Sequence, residues 1–164
     1  MNLYLVRHGI AIDRTDPKAP AEAERPLTAK GVQKTRAAAL GFVALKIKPD
    51  LLVTSPFVRA AQTAEIFAEA LGYSPEKIRV SEALKPAADP ADFAKELSQG
   101  KAREVVCFGH APHLDLLIAH LAGARGAFTE LKKSGVACLE RATPQGRWLL
   151  RWLLTPKALR SLAD

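Results

Sequence analysis

Two apolar runs in this chain end in nearly the same way. Leu3-Tyr4-Leu5-Val6 is followed by Arg7-His8-Gly9, and Glu104-Val105-Val106-Cys107-Phe108 is followed by Gly109-His110-Ala111-Pro112. Short runs of strand formers with no turn residue read as buried strands. Each run stops beside a glycine, which lets the backbone turn or come close to a ligand, and each places an imidazole there. In open α/β sheets ligands bind outside the carboxyl ends of the strands. Arg7, His8 and His110 therefore stand where chemistry is expected.

A third strand end joins them. Leu51-Leu52-Val53-Thr54 reads as the second strand, and Ser55-Pro56 restarts the chain as a helix, with Ser55 as N-cap and Pro56 at the first helical position. Phe57, Ala60, Ala61, Ala64, Phe67, Ala68 and Leu71 follow at helical spacing and form a core stripe that Gly72 ends. Arg59 lies off that stripe in the first turn and points near the end of the second strand.

The remaining segments alternate in the same manner. Ala11 to Pro26 is a polar stretch with three prolines and reads as a mobile loop over the site. Thr28 caps a helix whose apolar side is expected from Val32, Leu40, Phe42, Val43 and Ile47. Lys77 to Ser81 reads as a short strand, Glu82 to Ala88 as a connector, and Asp89-Pro90 as the start of a helix that Gly100 closes. Pro112 suits a first helical position, with Leu114, Leu117, Ile118 and Leu121 as the buried stripe. Phe128 to Leu131, Gly135 to Glu140 and Arg147 to Leu154 read as strands, with a hairpin turn at Thr143-Pro144-Gln145-Gly146 and a short helix capped at Thr155-Pro156. Strands alternating with helices predict a three-layer α/β/α fold with a mostly parallel central sheet, and the late hairpin adds an antiparallel edge.

Composition sets the outer bounds. A chain of 164 residues with no linker or repeat reads as a single domain, 1–164. No apolar stretch approaches a membrane span and no signal-type leader is present, so a cytoplasmic location is expected. Cys107 and Cys138 lie in apolar runs and read as reduced core residues, with no zinc spacing. The net charge of +7 favours anionic partners. Aromatics make up only 6% and do not interleave with a basic run, so a nucleic-acid partner is not expected.

Arg7, His8, Arg59 and His110 converge if the strand ends lie on one side of a parallel sheet. With two helix starts adding free N–H groups, including the backbone at Ala111, they make a site for a tetrahedral anion. No acidic cluster suggests a metal, and no cofactor is implied. Arg7-His8-Gly9, Ser55-Pro56-Phe57-Val58-Arg59-Ala60-Ala61-Gln62-Thr63-Ala64 and Gly109-His110-Ala111-Pro112 together resemble the histidine phosphatase superfamily, the phosphoglycerate mutase-like group. The short length, the start Leu3 to Ala11, the segment Arg25-Pro26-Leu27-Thr28 and the ending Leu131 to Gly135 with Trp152 to Pro156 are similar to its SixA-type phosphohistidine phosphatases. The resemblance implies that His8 is the nucleophile, forming a phosphohistidine that water hydrolyses to inorganic phosphate. It implies that Arg7, Arg59 and a protonated His110 hold the phosphoryl oxygens.

A general acid is the open point. Glu82 follows the third strand, about where superfamily members that cleave alkyl phosphates carry an acid, and it reads rather more as a solvated loop charge. A phosphohistidine substrate needs such an acid less, because its leaving group is an imidazole. The expected partner is thus a phosphorylated protein, such as a phosphotransfer domain. A small phosphate ester on the same site is the alternative, with Glu82 or a residue of Ala11–Pro26 as acid. A non-catalytic phosphate-binding or interaction module is the alternative of another class. A cysteine phosphatase needs an Arg six residues after its Cys, and six residues after Cys107 stands His113, so that chemistry is not supported. His113 and His120 are expected to be structural or exposed, and Thr63 to pack.

Overall fold

Alternation along one strand decides how the layers assemble. In the computed structural model, which describes residues 1–163, β1 runs Asn2–Arg7. Leu3 and Leu5 enter one core, and Tyr4 and Val6 enter the other, as the two-residue period of a strand requires. The same division recurs on β4 (Glu104–Gly109), where Val105 and Cys107 face one side and Val106 and Phe108 the other. Both strands are buried on both faces, so helices must cover both.

Those helices are α1 (Ala29–Ala44), α2 (Val58–Leu71), α3 (Pro90–Gln99), α4 (His113–Ala122) and α5 (Pro156–Arg160). Phe93, Leu97, Leu114 and Leu117 pack α3 and α4 onto one face, and Phe42, Phe67 and Leu159 pack α1, α2 and α5 onto the other. The remaining strands are β2 (Leu51–Thr54), β3 (Arg79–Val80), β5 (Val136–Glu140) and β6 (Leu149–Leu154). The sheet order is β3-β2-β4-β1-β5-β6. The first four strands in that order run parallel, and β5 and β6 pair antiparallel. This is the three-layer α/β/α arrangement with an antiparallel edge that the sequence predicts. Cys107 and Cys138 are free and buried. No helix among the described residues is long and apolar enough to cross a membrane.

Several boundaries differ from the sequence expectation. The third strand shrinks from Lys77–Ser81 to Arg79–Val80, an exposed edge, because Pro75–Lys77 forms a 3-10 turn. Phe128–Leu131 is not a strand. Its backbone bonds to side chains instead: Asp115 accepts from the Leu131 N–H at 2.9 Å, and the Leu131 carbonyl accepts from Arg7 at 2.9 Å. The α2 helix begins at Val58, two residues later than Ser55-Pro56 suggests, with Phe57 at its N-cap position. Likewise Pro112 takes the N-cap position of α4, after a cis Ala111–Pro112 peptide, and His113 is the first helical residue.

The buried face of α1 also differs. Thr28 caps it as expected, accepting from the Gly31 N–H at 3.0 Å. But Leu40 and Val43 are exposed, and the inward face is Gly31, Thr35, Ala38, Ala39, Gly41 and Phe42. Close backbone approach selects the small residues. A Cβ on Gly31 would lie 2.0 Å from the Ile10 carbonyl oxygen, and one on Gly41 would lie 1.7 Å from that of Leu159. Gly41→Ala should therefore push α5 off α1 and lower the unfolding free energy by about 1–3 kcal/mol, despite alanine's better helix propensity. Urea unfolding measures this, and a variant at or above wild-type stability would show that α5 is not packed as described.

Candidate active site

The central pairing of β1 with β4 builds the site. Arg7 is in register with Gly109, and the His8 N–H donates to the Gly109 carbonyl at 3.0 Å. The next residue on each strand is a histidine, and their ring centroids lie 5.1 Å apart. From the β2 side, α2 adds Arg59 in its first turn. Its Nε donates to His8 Nε2 at 3.2 Å. Arg7, His8, Arg59, His110 and Ala111 all line one cavity of about 440 Å³.

Local bonds fix the orientation of each group. His8 Nδ1 lies 2.7 Å from the Gly9 carbonyl, so Nδ1 carries the proton and the Nε2 lone pair is free to accept. Gly9 itself is locked: its N–H donates to Thr63 Oγ1 at 3.1 Å, and a Cβ there would fall 2.3 Å from Thr35 Oγ1. Thr63 in turn donates to the Arg59 carbonyl one helical turn back, at 2.7 Å. Ser55 does not cap α2 through the first helical N–H groups. Its hydroxyl meets His110 Nε2 at 2.8 Å and accepts from the Phe57 N–H at 3.3 Å. Arg7 is held through Leu131, whose segment is anchored on the buried Asp115.

The electrostatics follow from burial among cations. Burial first, then Arg59, Arg7 and Lys133, bring the His8 pKa down to about 3. Burial, His8 and Arg59 bring that of His110 down to about 2. Both imidazoles are therefore neutral near pH 7 in this structure, whereas the expectation of a protonated His110 concerns the site engaged with a phosphoryl group. Burial also lowers the pKa of Arg7 and of Arg59, opposed by Asp115 and by Glu22 respectively. Arg7 Nε and His110 Nδ1 are buried without a hydrogen-bond partner among the described residues. Such polar atoms cost stability unless something else engages them.

The stretch from Ala11 to Pro26 lies over this cavity and is tied down. Its neck closes by an Ala11–Leu27 bridge and by the Ile12 N–H donating to the Pro26 carbonyl at 3.0 Å. Glu22 sits in a 3-10 turn, Glu22–Glu24, and takes the outer edge of the Arg59 guanidinium: its carboxylate accepts at 2.8 Å and its carbonyl at 2.7 Å. Arg25 bonds the same carboxylate. Hydrogen bonds from Arg25, with Arg59 nearby, hold Glu22 below the usual carboxylate range, and the Thr15 backbone and hydroxyl do the same for Asp13.

Glu82 is not brought to the other four residues. It stands in a 3-10 turn, Glu82–Leu84, with its side chain 72% exposed and paired with Lys85. From that connector it is Pro86 that lines the cavity. The local pull of Lys85 and of water overrides the sequence position that suggested an acid. His113 is buried with both ring nitrogens unpartnered, and His120 is exposed. Sequence reasoning missed Ser55, Thr63, Asp115 and Glu22 as positioning groups. Only the spacing of Thr63 from Arg59 carried a signal, since a hydroxyl can reach the carbonyl one turn back. Among the described residues no group of three or more His, Cys, Asp or Glu side chains could hold a metal ion.

Two outcomes are expected. Both histidine pKa values fall on folding, so their contribution to stability is complete above pH 6.5 and is lost as pH drops from there towards about 3. The slope is about 1.4 kcal/mol per pH unit for each imidazole. Urea titrations from pH 7 to pH 4 should thus show a shallower acid-side loss in His8→Asn and His110→Asn than in wild type; equal slopes would refute the burial effect. Separately, Thr63→Val leaves the Gly9 N–H unpaired and should cost about 1–3 kcal/mol, with Thr63→Ser near neutral.

Comparison with known proteins agrees with this geometry. Residues 3–87 match the histidine phosphatase superfamily (branch 1). An uncharacterized protein of Picosynechococcus sp. is 38% identical over 141 residues, which covers 83% of this chain and 82% of that protein. Phosphohistidine phosphatase SixA of Escherichia coli strain K12 is 29% identical over 125 residues, 74% of each chain. The structure of the protein histidine phosphatase SixA complexed with tungstate superposes with a TM-score of 0.84 at 25% identity, covering 97% of this chain and 99% of that one. The α-ribazole phosphatase of Shigella flexneri shares the fold, with a TM-score of 0.76 at 18% identity over 95% of this chain and 97% of its own. The converging Arg-His-Gly and Gly-His strand ends, the arginine of α2 and the sequence match over more than half its length establish that this chain belongs to the histidine phosphatase superfamily.

Proposed function

We propose that the chain removes phosphoryl groups from phosphohistidine on a protein, without a metal, through a covalent phosphohistidine on His8. One observation carries the substrate choice. His8 is neutral with its Nε2 lone pair facing the cation cluster, while neither cavity carboxylate is placed to give up a proton. A nucleophile is ready and a general acid is not.

The reaction runs in two steps. The Nε2 lone pair attacks phosphorus, the bond from phosphorus to the substrate imidazole breaks, and that nitrogen keeps the electron pair and leaves as neutral imidazole, the other nitrogen of the substrate ring already carrying a proton. Water then attacks the phosphorus held on His8, and inorganic phosphate leaves as the His8 nitrogen recovers its pair. The first step exchanges one P–N bond for another, so it is nearly balanced and tolerates the lack of a strong acid. An alkyl ester would release an alkoxide and would need a proton donor. The name of the E. coli relative and that of the tungstate complex support the same substrate class.

Positioning and charge do the remaining work, as phosphoryl transfer requires. Arg7 and Arg59 offer donors to the equatorial oxygens, and the unpartnered Arg7 Nε is available to one of them. The phosphoryl group competes with the Glu22 carboxylate for Arg59. His110, set by Ser55, has Nδ1 free to engage the phosphoryl group, whose negative charge opposes the cations that keep His110 neutral.

The test compares wild type, His8→Ala and Arg59→Ala on a phosphohistidine-bearing protein and on p-nitrophenyl phosphate, with chelator present. Phosphate release from phosphohistidine should be strong in wild type, lost in His8→Ala, and reduced about 10²–10³-fold in Arg59→Ala, the usual cost of one charge-stabilising donor. Acid-labile label should appear on His8 in the wild type. Faster hydrolysis of the aryl ester than of phosphohistidine would replace this reading with a small-ester phosphatase. No activity on either, with phosphate still bound, would replace it with a binding module.

A further inference from the structure

A second groove adjoins the phosphoryl cavity and shares two of its residues. It has a volume of about 420 Å³, and Arg7 and Lys133 line both spaces. Its other cations come from three separate places. Lys34 projects from α1, Lys132 from the turn before β5, and Lys157 and Arg160 from α5. Six cationic side chains therefore face one carboxylate, Glu130, and Lys132 already pairs with it. Among the described residues Lys34, Lys133, Lys157 and Arg160 form no ion pair.

Nothing in the proposed chemistry uses Lys34, Lys132, Lys157 or Arg160, and keeping these charges together opposes stability through mutual repulsion. The platform that carries them is firm. Gly41 brings α1 against the Leu159 backbone of α5, Thr155 caps α5, and Leu159 is fully buried beneath it. Lys34, Lys132, Lys133 and Lys157 are exposed on that platform. The wall has no aromatic side chain on which a base could stack. A phosphorylated side chain that enters the cavity past Arg7 carries its own protein surface across this groove.

We infer that the groove formed by α1, α5 and the Lys132–Lys133 turn is a docking surface for an acidic face of the phosphoprotein substrate, next to its phosphorylated residue. This rests on the reading of the cavity as a protein phosphohistidine phosphatase. Rim charges of this kind raise the encounter rate and set its salt dependence, and leave the chemical step alone.

The test uses Lys34→Glu/Lys157→Glu/Arg160→Glu, which spares every residue of the phosphoryl cavity. The substrates are a phosphotransfer domain with an acidic helix face, phosphorylated on its histidine, and free N-phosphohistidine. On the protein substrate, kcat/KM should fall about tenfold or more through KM, and its decline with added salt should flatten. On free N-phosphohistidine both constants should stay at wild-type values, which also shows that the variant is folded. Equal kinetics on the protein substrate would overturn the docking surface and leave the phosphatase reading intact, as would a variant that loses only affinity for duplex DNA. Equal losses on both substrates would assign the charges to the fold or the chemistry instead. A wild type inactive on both substrates would sink the phosphatase reading and this inference with it.

Discussion

The parallel pairing of β1 with β4 is the constraint on which the site depends. Parallel neighbours in register deliver equivalent positions at the same height. Arg7 opposite Gly109 places His8 and His110 side by side where the strands leave the sheet. Both strands are buried on both faces, so a slip by one residue would turn Leu3, Leu5, Val105 and Cys107 into the wrong core. Hydrophobic burial thus fixes the register, and the register fixes the distance between two imidazoles. The chemistry inherits its precision from the packing.

That precision is costly in polar terms. Two histidines and two arginines share a buried space, and burial together with mutual repulsion keeps both imidazoles neutral. The same charges that would hold a phosphoryl group therefore also keep His8 unprotonated. Glu22 completes the balance from the overlying stretch by neutralising Arg59. An anion with more charge and better geometry than a carboxylate is what this arrangement favours.

Legibility in the sequence followed how local each signal was. Arg7, His8 and His110 could be read because a strand end is marked by its own residues and parallel strand ends share one side. Arg59 could be read because its helix begins at the next strand end. Glu82 was misleading: its position in the order was right for an acid, but its side chain answers to Lys85 three residues on and to solvent. Ser55 and Thr63 looked like a cap and a packing residue, and Asp115 gave no signal. Their partners, His110, Gly9 and Leu131, lie 55, 54 and 16 residues away in the chain. Leu40 and Val43 misled as well, because α1 packs by backbone proximity and turns its small residues inward.

By itself the sequence determined the α/β class, most of the order of the elements, and the placing of Arg7, His8 and His110 at strand ends with Arg59 in the turn of helix after another. Each of these is encoded in short-range periodicity and in the residues that stop each run. Tertiary structure alone decided the protonation of His8 and His110, the bonds that orient them, the placement of Glu22 on Arg59, and the joining of α1 with α5 into one basic groove. Those properties arise from burial and from distances between residues far apart in the chain, and no local pattern contains them.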